Sequence, residues 1–195
     1  MRKGIEIMPP RERVSKELVL NTAFRMTREN GFEELTARKL AEQLNSSTQP
    51  IFRAYANMDM LKKDLFFKSA EYFSDYMLSK KSGAQPLYLT MGMAYIDLAQ
   101  KERHLFKLIA SIDDYGAEEI REFLQGENSE LPEKLPDTGE MDGKQKRELF
   151  RMIWMFTHGV ATLVTARRVT MTDKEIKKLL MKAYEGFLDT YDQGG

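Results

Sequence analysis

The chain has 195 residues, 42% of them hydrophobic and 31% charged, and its 30 basic and 30 acidic side chains cancel to a formal net charge of zero. That is a globular composition, and the length suffices for one or two domains with a sizeable core. The absence of cysteine excludes a disulfide framework, a thiol nucleophile and a thiolate metal site, and it fits a reducing compartment.

The N-terminal stretch MRKGIEIMPPRERVSKE is charged and lacks the apolar run of a signal peptide. No window approaches the ~18 apolar residues of a membrane span, so a cytoplasmic protein with no membrane partner is expected. From Arg11 to Asn30, Leu20, Ala23, Phe24 and Thr27 fall at the spacing of one buried helical face, and Gly31 supplies a left-handed stop. Thr36 suits the N-cap of a short second helix in which Leu40, Ala41 and Leu44 point inward. Asn45, Ser46 and Ser47 make a turn. A third short helix carries Ile51, Phe52 and Tyr55, and Asn57 caps a long fourth one with Leu61, Leu65, Phe66, Phe73 and Met77 along it.

KKSGAQP, from Lys80 to Pro86, is a cluster of helix breakers. Further helices are expected over Leu87–Gln100, KERHLFKLIASI, GAEEIREFLQG, Lys144–Arg168 and Asp173–Tyr191. The loop from Gly126 to Gly143 is acidic and reads as solvated surface. With no alternating strand pattern anywhere, the fold class is all-α. The division expected is a three-helix unit over 1–56, a connecting helix over 57–80 and a second helical domain over 81–195.

Two short helices joined by a tight turn suggest a helix-turn-helix. In TARKLAEQLNSSTQPIFRAY the apolar positions Leu40, Ala41, Leu44, Ile51, Phe52 and Tyr55 can pack together, which leaves Arg38, Ser47, Thr48, Gln49 and Arg53 facing outward. Asn45 in the turn is the non-glycine residue that best tolerates a left-handed backbone. Pro50 forfeits no hydrogen bond in a first helical turn, so it marks a helix start, with Ser47 or a neighbour as cap. A helix start bearing Thr48 and Gln49 suits the major groove, where Gln can bond adenine N6 and N7 and Thr can touch a thymine methyl. Arg38 and Arg53 suit phosphates. Residues 1–65 carry 12 Lys or Arg against 9 Asp or Glu, which favours a polyanion at this end.

The set Gly31-Phe32, LTARKLAEQLN, the aromatics Phe52 and Tyr55, and Asp59 with Leu61 resembles the TetR family of transcriptional regulators over about residues 11–66. The resemblance implies a three-helix DNA-binding domain followed by a helical domain that binds a ligand and dimerises. By position it implies that Thr36 and Arg38 approach phosphates, that Ser47, Thr48, Gln49 and Pro50 lie at the groove, and that Phe52, Arg53 and Tyr55 continue the recognition helix. The family usually has glycine at Asn45, an apolar residue at Ser46, tyrosine at Phe52 and lysine at Met58. The last two replacements each remove a phosphate contact.

The second half is rich in Met, Tyr, Phe and Trp. Met91, Met93, Tyr95, Trp154 and Phe156 read as plain core or as the wall of an adaptable apolar pocket. Tyr95, Trp154 and His158 are the ligand-binding candidates, for an unidentified apolar effector. The spacing of His104 and His158 suggests no metal site, no catalytic set stands out, and no cofactor is implied. The stripe on the last helix, with Leu180, Phe187 and Tyr191, suits pairing with a second copy into a four-helix bundle. The function expected is a ligand-responsive regulator, a repressor, that binds a palindromic operator in double-stranded DNA as a homodimer. The rival is an all-helical carrier or enzyme without DNA binding.

Overall fold

A computed structural model of the chain describes residues 14–80, 85–110 and 130–192. The helix expected over GAEEIREFLQG and residues 11–13 of the expected Arg11–Asn30 helix lie outside them, while Val14 and Ser15, expected within that helix, precede its start. Among the described residues no strand occurs, as the periodicity predicts.

Helix α1 is Lys16–Asn30, and its first turn is closed by Ser15, whose hydroxyl accepts from the Leu18 amide at 3.1 Å. It ends at Gly31, whose φ is positive as expected. The expected left-handed stop needs correction, however. With φ 90° and ψ 157° the residue sits outside the left-handed helical well, in a region open essentially to glycine alone. A Cβ there would also come within 3.2 Å of both Glu33 Oε2 and His104 Nδ1. A 3-10 turn over Phe32–Glu34 leads to α2, Ala37–Gln43, which Thr36 caps by accepting from the Lys39 amide at 3.2 Å. Asn45 makes the turn to α3 (Gln49–Ala54) with φ 48°, the left-handed conformation its side chain tolerates.

Helix α4 is Met58–Ser79, capped by Asn57 as expected, with Oδ1 accepting from the Met60 amide at 2.9 Å. Then follow α5 (Leu87–Lys101) and α6 (Arg103–Ala110). Helix α7, Gly143–Thr165, opens on a reciprocal capping box between Asp142 and Gln145. It stops short of the expected Arg168, because Arg167 turns left-handed at φ 55°. Helix α8 is Asp173–Asp192.

Three apolar clusters hold these elements. The first joins Val19 and Ala23 of α1, Leu40 and Ala41 of α2, Ile51 and Tyr55 at α3, and Leu61 and Leu65 of α4. The second joins Phe73 and Met77 of α4 with α5, Leu105 and Phe106 of α6, Val160 and Ala161 of α7, and Ile176 and Leu180 of α8. The third gathers Leu135, Leu149, Phe150, Ile153 and Tyr184, with the Tyr88 and Tyr184 rings stacked at 4.0 Å. Two helices contribute buried residues to both large clusters, and Phe24 of α1 packs against both. Helix α4 runs from one to the other, and α6 sends Leu108 into the first while Leu105 and Phe106 stay in the second.

Polar contacts reinforce that joint. Arg28 Nε on α1 donates to both Glu102 oxygens, at 2.9 and 2.8 Å, and Lys107 pairs with Glu33. Arg103 donates to the Thr165 carbonyl at the end of α7. The rotation of α6 is thereby tied to both halves of the fold.

Candidate functional site

The first candidate surface is built by burying one side of α3. At 3.6 residues per turn, Ile51 and Tyr55 share an inner face, positions 49 and 53 fall on the opposite one, and position 52 lies on the flank between them. The structure has that arrangement: Ile51 and Tyr55 are buried, and Gln49, Phe52 and Arg53 are exposed. Thr48 is the N-cap position, with an α-region backbone and no side-chain cap bond, and Pro50 lies in the first turn. Ser47, expected as cap, is exposed in the preceding turn, and its carbonyl accepts from the Ser46 hydroxyl at 2.9 Å. Across the turn Arg38 is exposed on α2, bonded through Nε to Glu42 Oε1 at 3.2 Å. Thr36 is exposed, with its hydroxyl engaged as the α2 cap.

Two expectations for this surface are overturned. Tyr55 cannot meet DNA, being 2% exposed in the first cluster beneath the Lys16 ammonium, which sits 4.8 Å from its ring centroid. Its hydroxyl lies against the Asp64 carboxylate without a hydrogen bond of regular geometry. Burial first, and then that carboxylate, hold its pKa above the usual phenol range. Phe52, grouped with the inward residues by its apolarity, is instead 47% exposed beside Gln49. Periodicity separates the two, since residue 52 is a quarter-turn off the buried Ile51–Tyr55 line.

The second candidate is a cavity of about 430 Å³ bounded by α4, α5, α7 and the segment around the 3-10 turn Pro132–Lys134. Such a volume is within the range of small-molecule sites. Met77, Met91, Leu135, Ile153 and Trp154 give it an apolar interior, and the Glu130–Lys134 ion pair, 2.7 Å long, lies at its edge. Of the three ligand-binding candidates only Trp154 reaches it. Tyr95 and His158 stand behind the Trp154 ring, joined by a 2.9 Å hydrogen bond between the Tyr95 hydroxyl and His158 Nδ1, so they support the wall rather than form it. Burial pushes the Tyr95 pKa up and the His158 pKa down, so both are neutral near pH 7.

Sequence reasoning missed Met77, Leu135 and Ile153 as wall residues. The acidic loop is not simply solvated surface: Pro132 and Leu135 are buried, and Leu131 and Leu135 close one side of the cavity. The apolar spacing of Leu131, Pro132 and Leu135 within that acidic stretch was the available signal.

The third surface is the outer side of α7 and α8. Leu180 was expected there, and the structure corrects this. It is 1% exposed in the second cluster, where an added Cβ on Gly92 would meet its Cδ1 at 3.2 Å. Phe187 is half-buried against Phe156, with ring centroids 6.1 Å apart, and Tyr191 is half-buried in the third cluster. The apolar residues that remain exposed are Met155 and Leu163 on α7 and Met181 on α8. Met155, Gly159 and Leu163 recur every four residues, so they form one row, and nothing lies within 4 Å of where a Gly159 Cβ would be.

Among the described residues no group of three His, Asp or Glu side chains is placed to hold a metal ion. No described helix is long and apolar enough to cross a membrane.

These features define a class: a small helix-turn-helix unit seated on a larger helical body that contains an apolar cavity. No protein-family model matches the chain, and no curated protein matches it in sequence. Solved structures do. A TetR-like transcriptional regulator from Rhodococcus sp. RHA1 is 14% identical, with a TM-score of 0.60 over 96% of this chain and 100% of that one. A second transcriptional regulator from the same organism is 15% identical, with a TM-score of 0.66 over 91% of this chain and 97% of that one. A TetR family protein from Vibrio parahaemolyticus is 16% identical, with a TM-score of 0.57 over 88% and 97%. The chain has the fold of TetR-like transcriptional regulators, an N-terminal helix-turn-helix followed by a C-terminal helical domain.

Proposed function

We propose that this protein is a homodimeric DNA-binding transcriptional regulator, a repressor whose affinity for a palindromic operator falls when a small apolar effector occupies the cavity beside Trp154. The observation that carries the reading is the outer face of α3. Thr48, Gln49 and Arg53 stand exposed on a helix whose other side is anchored by Ile51 and Tyr55. An enzyme or carrier has no use for such a face, whereas Gln49 can pair with adenine and Arg53 and Arg38 can meet phosphates.

Dimerisation is assigned to the row Met155–Gly159–Leu163 on α7, exposed at Met155 and Leu163, together with Met181 on α8 and the half-buried Phe187. Two copies related by a two-fold axis would cover that row with itself and form a four-helix bundle. The pair would present two α3 helices to half-sites about one DNA turn (~34 Å) apart.

The route from cavity to DNA runs along α4 and α6. Ser74, Met77 and Leu78 of α4 line the cavity, while Leu61 and Leu65 of the same helix lie in the helix-turn-helix core. Helix α6 plugs Leu108 into that core. An effector shifts DNA affinity only by as much as it prefers one arrangement of these helices over the other, typically ~1–3 kcal/mol.

The test is selection of bound sequences from a random double-stranded pool with the full-length protein. Enrichment of a two-fold symmetric site is expected. Retention of the pool without enrichment would remove sequence-specific DNA binding and return the carrier reading.

A further inference from the structure

Phe52 is the only exposed Phe, Tyr or Trp among the described residues. It stands in a six-residue helix, between positions whose exposed side chains are polar. Among the described residues no other ring and no cationic group packs against it, although other aromatic rings of the fold sit against neighbouring rings or ammonium groups. A phenyl ring left in water forgoes the burial that rings of this size normally obtain. Its placement beside Gln49 puts it on the face assigned to DNA.

The chemistry of a phenyl ring limits what it can do there. It has no donor or acceptor, so it can bond neither a phosphate nor the polar base edges. The one apolar group that the unmodified major groove presents is the C5 methyl of thymine. Gln49 and Phe52 are three residues apart, which sets their Cβ atoms about 5–6 Å apart on the helix surface. Base pairs rise ~3.4 Å along the helix axis, so the two side chains reach positions within about two base pairs of each other.

We propose that Phe52 reads one thymine methyl in each half-site, next to the base pair met by Gln49. The inference rests on the DNA-binding reading above and adds the base it selects. It predicts a discrimination between thymine and uracil, and between 5-methylcytosine and cytosine, that polar readout by Gln49 and Arg53 cannot produce. Removing one buried methyl should weaken binding about fourfold in one half-site and about fifteenfold in both.

The experiment uses the operator recovered by selection and the full-length protein. Each thymine is replaced singly and symmetrically by uracil, which removes the methyl and leaves pairing intact. One symmetric position, within two base pairs of the one at which Gln49→Ala relaxes specificity, is expected to show the fourfold and fifteenfold losses. Phe52→Ala should bind the thymine and uracil operators equally. Changing that pair to C·G should give an operator that the wild type binds more tightly when the cytosine is 5-methylated. The wild-type arms need no variant to fold. Indifference to uracil at every position, or a thymine preference that persists in Phe52→Ala, would overturn the proposal while leaving sequence-specific binding intact. Failure to recover any operator would instead overturn the reading on which it rests.

Discussion

Leu180→Ala separates the two places that the last helix could use this side chain, a dimer face or the core of one protomer. The substitution removes three carbon groups from a site that is 1% exposed. At ~0.8 kcal/mol per buried carbon group the transfer loss is about 2.4 kcal/mol. Collapse around the void is hindered because the opposing surface is the α5 backbone at Gly92, with so little clearance that a Cβ there would lie 3.2 Å from Leu180 Cδ1. A residual cavity of ~50 Å³ adds about 1 kcal/mol, for a total of about 3–4 kcal/mol. With a urea slope of ~2–3 kcal/mol/M for a chain of this size, the unfolding midpoint should fall by roughly 1–2 M. Sedimentation velocity should still report a dimer. In contrast, Met155→Glu combined with Leu163→Glu should yield monomers, because both side chains are exposed in the protomer, at 59% and 47%. Midpoints must be compared at equal protein concentration, since dissociation itself lowers the stability of a dimer. Monomers from Leu180→Ala with an unshifted midpoint would refute the core placement and restore this residue to the interface.

Gln49→Ala should cost ~1–3 kcal/mol on the selected operator and little on random DNA; equal losses on both, by fluorescence anisotropy, would remove Gln49 from base reading. Arg28→Ala leaves the Glu102 carboxylate, whose side chain is only 10% exposed, with just the long 3.5 Å hydrogen bond from the Tyr72 hydroxyl. Because Arg28 itself is half exposed, a loss of about 1–2 kcal/mol is expected in urea unfolding, and Arg28→Lys should recover only part of it, since an ammonium cannot engage both oxygens in the same fork. Burial lowers the His158 pKa below its ordinary value of about 6.5, so on acidification the unfolded chain takes up this proton before the folded one does. Stability should therefore fall as pH drops below ~6.5 and be independent of this group above it. A melting-temperature loss between pH 7.5 and 5.5 that is the same in His158→Gln as in the wild type would assign the pH dependence elsewhere.

Sequence periodicity alone determines the helical class and most of the helix starts, because these depend on neighbours within one turn. Ser15, Thr36, Asn57 and Asp142 each close their own first turn through a side chain that reaches an amide three residues on. Asn45 and Pro50 are legible for the same reason: each is tied to a backbone conformation or a missing donor at its own position. The polar half of the α3 face follows from local chemistry as well, since the Gln49 amide and the Arg53 guanidinium are costly to bury without hydrogen-bond partners.

Faces and walls are a different matter. Whether Leu180 points to a second copy or to Gly92 depends on where α5 passes, and nothing within α8 records that. Phe52 and Tyr55 are similar in type, yet one is exposed and the other buried: periodicity sets them on different sides of α3, and the packing of α1, α2 and α4 decides which side is covered. The cavity is the extreme case: Met77, Leu135 and Trp154 come from three separated segments and meet only when α4, α7 and the Pro132 turn pack together. A helix can be specified by its own residues, but a pocket is the space between elements, and its shape exists only in the packed fold.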